Sequence, residues 1–125
     1  MKSKKQIHHS PPRKRDKEQE RYLSEMLAIL GQSSRWKILR ALAPLSPRQP
    51  LDAIEYTPSE LAEILGLSVS TISEHLHALL KAQLVTTQRF QRSVYYRLRH
   101  SATLLAFFSL LDAIEEQAAS DEHLL

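Results

Sequence analysis

The chain has 125 residues, 42% hydrophobic and 25% charged, with a formal net charge of +3 and no cysteine. That length suits one domain with a modest core, and the missing cysteines exclude thiolate catalysis, thiol redox sensing and soft-metal capture by the chain's own sulfurs. No apolar run approaches the ~20 residues of a membrane span, and the lysine-rich start lacks the apolar stretch of a signal peptide, so a cytoplasmic protein without membrane contact is expected.

Residues 1–16 carry Lys2, Lys4, Lys5, Arg13, Lys14 and Arg15, two adjacent prolines and few apolar side chains. Such a segment buries too little to offset its ordering entropy and reads as a flexible basic arm, a solubilising tail or an added phosphate contact. His8 and His9 are adjacent and point to opposite sides of an extended chain, which does not make a metal pair.

From Lys17 to Leu30, Tyr22, Leu23, Met26, Leu27 and Leu30 follow the helical period. Gly31 is expected to end this helix, and Ser33 or Ser34 to cap the next, whose apolar surface comes from Trp36, Ile38, Leu39, Leu42 and Ala43. Pro44 stops it. The connection 44–56 is stiffened by prolines, and Leu51, Ile54 and Tyr56 are available to fold back on the core.

The stretch 57–81 reads as two short helices with a tight turn. Thr57, Pro58 and Glu60 form a capping signature. Gly66 suits the left-handed residue after a last turn. Ser68 caps a second helix with Val69, Ile72, Leu76, Leu79 and Leu80 on one face. Ser70, Ser73, Glu74, His77 and Lys81 fall on the other, with Thr71 and His75 at the border. This is a helix-turn-helix pattern, whose second helix offers its start to the DNA major groove; an ordinary helical hairpin whose serines are only caps is the bland reading. Leu84 to Arg99 follows as a β-hairpin with its tip near Phe90 to Arg92. Its arginines, 89, 92, 97 and 99, have no acid among them, as in a wing that lies along phosphates. Ser101 caps a last helix running to about Ala118, apolar around most of its girth, which calls for a partner surface. An acidic tail, 119–125, ends the chain.

The segments Glu60 to Leu79, Ala82 to Val85 and Val94 to Leu98, with Leu30 to Leu42 upstream, resemble the ArsR/SmtB family of winged-helix repressors, over roughly residues 20 to 116. The resemblance implies a mainly α fold with a small β-hairpin, a winged helix-turn-helix dimerising through its terminal helices. It implies a short strand in the connection that pairs with the wing. Gln83 and Gln91 stand where the family often has glycine, which predicts a wider wing turn. Where relatives carry a Cys-x-Cys pair, this chain has Thr57, Pro58 and Ser59. Of the family's four last-helix metal positions, His100 and Glu116 match, but Ala102 and Ala113 do not. No metal site, cofactor or catalytic constellation is therefore expected, and no inducer is identified.

The reading is a winged helix spanning 17–118 that binds double-stranded DNA as a homodimeric, sequence-specific transcriptional repressor on an inverted repeat. Its expected DNA contacts are Ser68, Val69, Ser70, Thr71, Ser73, Glu74 and His75 in the major groove and Arg89, Gln91 and Arg92 on the wing. Its expected dimer contacts are Tyr22, Met26, Leu104, Phe107, Phe108 and Leu111. A protein–protein adaptor and a non-specific architectural DNA binder are the rival readings.

Overall fold

In the computed structural model, residues 14–124 are described. They form α1 (Lys14–Leu30), α2 (Ser33–Ala41), α3 (Pro58–Leu65), α4 (Val69–Lys81), β1 (Val85–Phe90), β2 (Ser93–Leu98) and α5 (Ala102–Leu124). The expected basic arm lies outside the described residues up to position 13. Its last three residues already belong to α1, so the helix starts three residues earlier than its apolar period indicates. No described helix is long and apolar enough to cross a membrane.

The core is built on α2, α3 and α4. Ile38, Leu39, Leu42, Leu61, Ile72, Leu76 and Leu79 are fully buried, closed at one end by Leu98 of β2 and by Leu104 of α5. Burying each such side chain contributes ~1.5–3 kcal/mol. Val69 and Leu80, read from the sequence as part of α4's inner face, are instead solvent-exposed. Helical spacing puts both on the same edge of the apolar arc, beyond Leu76.

The start of α3 is the capping box its sequence spells. The Thr57 hydroxyl accepts from the Glu60 N–H at 3.2 Å, and the Glu60 carboxylate accepts from the Thr57 N–H at 2.8 Å. Gly66 takes φ 67°, and the Leu67 N–H reaches back to the Ala62 carbonyl at 3.0 Å. The cap of α2 differs from expectation. Gln32 is the extended residue before the helix and makes no side-chain cap bond. Ser33 and Ser34 are already helical, because the chain reverses one residue earlier, at Gly31.

α4 ends in a Schellman motif: the Leu84 N–H bonds the Leu79 carbonyl and the Gln83 N–H bonds the Leu80 carbonyl, both at 3.0 Å. The left-handed position falls on Gln83, at φ 62°. Burial of both Leu79 and Leu84 supplies the apolar contact that usually accompanies this motif.

The hairpin pairs Val85 with Leu98 through Phe90 with Ser93, leaving only Gln91 and Arg92 at the tip. Gln91 takes φ 58°, the sign pattern of a two-residue turn whose first position normally holds glycine. The expected wider turn does not occur. Gln91 accepts the left-handed backbone, at a cost of ~1–2 kcal/mol, and the strand register is kept. Tyr56 forms one antiparallel bridge with Tyr96, at 3.0 and 2.8 Å, the single-residue remnant of the third strand the resemblance implied. The rest of the connection is held by its own turns and by buried Leu51.

α5 is capped by Ser101, whose Oγ accepts from the N–H groups of Thr103 and Leu104 at 3.1 and 3.4 Å. It runs 23 residues, through the expected acidic tail, rather than stopping near Ala118. The Glu, Gln and Ala of that end are good helix formers and give no stop signal. Leu104 is buried in the protomer's own core and so is not a dimer contact. Farther along, Arg40 of α2 holds α5 by a fork to Glu115, at 2.8 Å on one arm, and reaches Asp112 at 3.2 Å. The hydrogen bond from Arg40 keeps the Glu115 carboxyl below the usual carboxylate range, and the same bond raises the Arg40 guanidinium.

Candidate nucleic-acid interface

The burial of Ile72, Leu76 and Leu79 fixes the rotation of α4. Ser70, Ser73, Glu74 and His77 then face solvent along one outward arc, with Lys81 at its end. Of the seven α4 residues expected at DNA, Ser68, Val69, Ser70, Ser73 and Glu74 are exposed there, and Thr71 is half-buried at the edge. Ser68 works first as a cap. Its Oγ accepts from the Thr71 N–H at 3.1 Å and donates to Thr71 Oγ1 at 2.8 Å, with Ser70 Oγ at 3.3 Å. The helix start is therefore ordered before any ligand arrives. Ser73 and Glu74 have no side-chain hydrogen bond among the described residues, so their polar atoms are available outward.

His75 is turned away from this arc. It is half-buried, and its Nδ1 accepts from Nε of Arg35 on α2 at 3.3 Å. It links α4 to α2 rather than standing among the fully exposed residues of the arc. His77 and Lys81, read from the sequence on the same face, continue the exposed arc one turn beyond the residues expected at DNA.

On the wing, strand alternation puts Val85, Thr87 and Arg89 on one face with Leu98, Tyr96 and Val94 as partners. The buried pair roots the hairpin, and the arginines lie beyond it. Arg89, Gln91 and Arg92 are exposed, and among the described residues neither Arg89 nor Arg92 meets a carboxylate. Arg97 does: Glu55 stands 3.7 Å away. The sequence reading gave the wing no acidic neighbour because Glu55 is brought in by the Tyr56–Tyr96 bridge, forty residues upstream in the chain. Nothing in the described residues gathers three or more His, Cys, Asp or Glu side chains into a metal-holding group.

A capped helix with a polar outward arc, followed by a rooted basic hairpin, defines a winged helix-turn-helix. Residues 32–87 match the sequence profile of the bacterial regulatory proteins of the arsR family. That match runs from α2 to the start of β1, and together with the fold it supports a winged-helix, DNA-binding transcription regulator. Among solved structures, NolR from Sinorhizobium fredii superposes with a TM-score of 0.70 at 26% identity, covering 84% of this chain and 95% of its own. The transcriptional regulator HlyU from Vibrio vulnificus gives a TM-score of 0.59 at 28% identity, covering 78% and 92%. The homodimeric winged helix-turn-helix DNA-binding domain of Mb0332 from Mycobacterium bovis shares the fold, with a TM-score of 0.63 at 24% identity over 93% and 94%. Among curated protein sequences none matches the chain.

The expected dimer contacts are spread differently from their sequence assignment. Tyr22 is 61% exposed, Met26, Phe107, Phe108 and Leu111 are half-buried, and Leu104 is fully inside. The apolar surface left open on the terminal helices also includes Leu23 and Leu27 on α1 and Leu105, Leu110 and Ile114 on α5.

Proposed function

We propose that the protein is a cytoplasmic repressor that acts as a two-fold homodimer on an inverted-repeat operator, excluding polymerase by occupancy. The observation that carries this reading is the division of the molecule. The outward arc of α4 and the wing are polar and basic, whereas α1 and α5 leave Tyr22, Leu23, Leu27, Leu110 and Ile114 exposed. Open apolar surface on the two terminal helices is best covered by a second copy, because a closed two-fold contact buries the same patch twice. Two copies joined there would present two α4 helices to grooves roughly 34 Å apart. The same fold is homodimeric in the Mycobacterium bovis domain.

In the major groove Ser70, Ser73 and Glu74 would meet base edges, and Val69 would offer an apolar contact to a thymine methyl. Ser68 and Thr71, engaged with each other, would present the helix start to a phosphate. Arg89 and Arg92, with Gln91 between them at the tip, would grip the flanking backbone. Glu74 is the proposed base reader, since a carboxylate accepts from cytosine N4 and is repelled by phosphate. Glu74→Ala is expected to relax base preference at one position per half-site, ~1–3 kcal/mol in discrimination, with little loss on random DNA. Affinities across single-base operator variants measure this, and an unchanged preference profile would remove Glu74 from the reading.

A further inference from the structure

We propose that the cavity between α1, the end of α4 and the start of α5 binds a small organic carboxylate with an apolar body, and that its occupation weakens DNA binding. The second half rests on the reading of α4 given above. The cavity measures about 800 Å³, within the ~300–1,000 Å³ of small-molecule sites. Its apolar wall comes from Met26 and Ile29 of α1 and from Ala82 and Leu84 after α4. Its polar groups are strongly one-sided: Arg35, Lys81, Arg99 and His100 against the single acid Glu25.

Among the described residues, none of Arg35, Lys81 and Arg99 has a carboxylate within ion-pair distance. Three unneutralised cations around one concavity favour an anion there. α5 begins at the same wall, so its N-terminal end adds positive potential in the same place. The apolar wall in turn favours a ligand with a hydrocarbon body over a bare inorganic anion. An apolar cation of equal size would meet repulsion from the same arginines and lysine.

The link to DNA is Arg35. Its Nε donates to His75 on α4, next to Glu74. A carboxylate in the cavity offers Arg35 a charge-assisted bond, stronger than the one to an imidazole nitrogen. Arg35 would then release His75, and the brace that holds α4 against α2 would loosen. A ligand that binds this loosened state better must lower DNA affinity, and DNA must lower ligand affinity by the same factor.

A rival occupant is a side chain from a second copy, since Tyr22 and Met26 line the cavity and also belong to the face proposed for dimer contact. The test is an amide NMR titration of the ¹⁵N-labelled full chain with sodium decanoate below its micelle concentration, and in parallel with decyltrimethylammonium. Expected are saturable shifts at Met26, Lys81, Leu84, Arg99 and Thr103 with decanoate alone. Arg99→Gln and Arg35→Gln should weaken it at least fivefold, and Arg48→Gln, on the distant connection, should not. Decanoate should also lower affinity for a selected DNA fragment on the order of tenfold in the parent chain and not in Arg35→Gln. Absent shifts, equal binding of the cation, or indifference to both arginine variants would overturn the site. Shifts that arise only after dimer dissociation would assign the cavity to the second copy. Decanoate binding without an effect on DNA affinity would overturn the coupling. A chain that binds decanoate but shows no preferred DNA sequence would refute the operator reading instead and leave the cavity site standing.

Discussion

The α3–α4 hairpin and the terminal helices α1 and α5 solve the same problem, burying an apolar face, in opposite ways. In the hairpin the inward apolar face is buried within the protomer, and Ile64, Val69 and Leu80 keep exposed surface at its margin. Leu61, Ile72, Leu76 and Leu79 have no exposed surface, and both helix starts are closed by local side-chain caps. The terminal helices keep Tyr22, Leu23, Leu27, Leu105, Leu110 and Ile114 more than half exposed. One unit is closed by its own chain; the other leaves apolar surface open, which the proposed homodimer would cover. In that proposal the reading element is held by residues outside the dimer contact, and assembly would set the spacing of two such elements without altering either.

The hairpin half of this contrast is broken most severely from inside. Leu76→Ala leaves a cavity under the recognition helix and is expected to cost ~2–5 kcal/mol, read as a fall in the urea midpoint with loss of DNA binding. A chain that tolerates the change would show that α4 is not the keystone of the core. Next in size is the terminal half. The double change Leu110→Glu, Ile114→Glu puts charge on the open stripe of α5 and should leave the fold intact. It is expected to give a monomer in sedimentation and to lower affinity for an inverted repeat ~100-fold or more, since the second half-site is no longer tethered. Unfolding would mean that the stripe belongs to the protomer's own core.

Smaller effects sharpen the same contrast. Thr57→Ala removes one arm of the capping box and should cost ~1 kcal/mol without changing the oligomeric state, as denaturation and sedimentation together would show. The smallest effect belongs to the anchor of α5. The Glu115 carboxyl lies below its unfolded value because Arg40 donates to it. Its contribution is therefore present above the unfolded pKa and lost as pH falls through the folded one. Glu115→Gln should flatten that acidic part of the stability profile slightly and leave neutral-pH DNA binding unchanged.

How much was legible in the sequence divides along the same line. Thr57, Glu60, Gly66 and Ser68 do in the fold what their types and spacing indicate, because a cap is decided by residues within four positions. Gln83 and Gln91 escaped that logic. Each occupies a left-handed position that residue type alone assigns to glycine, and tertiary register holds them there against local preference. Leu104 was misplaced for a different reason. A helix apolar on nearly all sides has no phase to read, so the sequence could not say which leucine turns inward. His75 lay on the border of the two faces of α4, and only the position of Arg35, forty residues earlier, decides its side. The outward arc of α4 was legible to its end, since the period that places Ser70, Ser73 and Glu74 outside also places His77 and Lys81 there.

The central claim is that two copies of the chain read one inverted repeat through the outward arc of α4. The most direct measurement selects genomic DNA fragments with the purified full chain and then titrates the best fragment at several salt concentrations, with the stoichiometry recorded. The account predicts two chains per palindromic site, bound at least ~10³-fold more tightly than random DNA, with affinity falling steeply with salt. Uniform binding to all fragments that vanishes with salt, or one chain per site without symmetry, would contradict it.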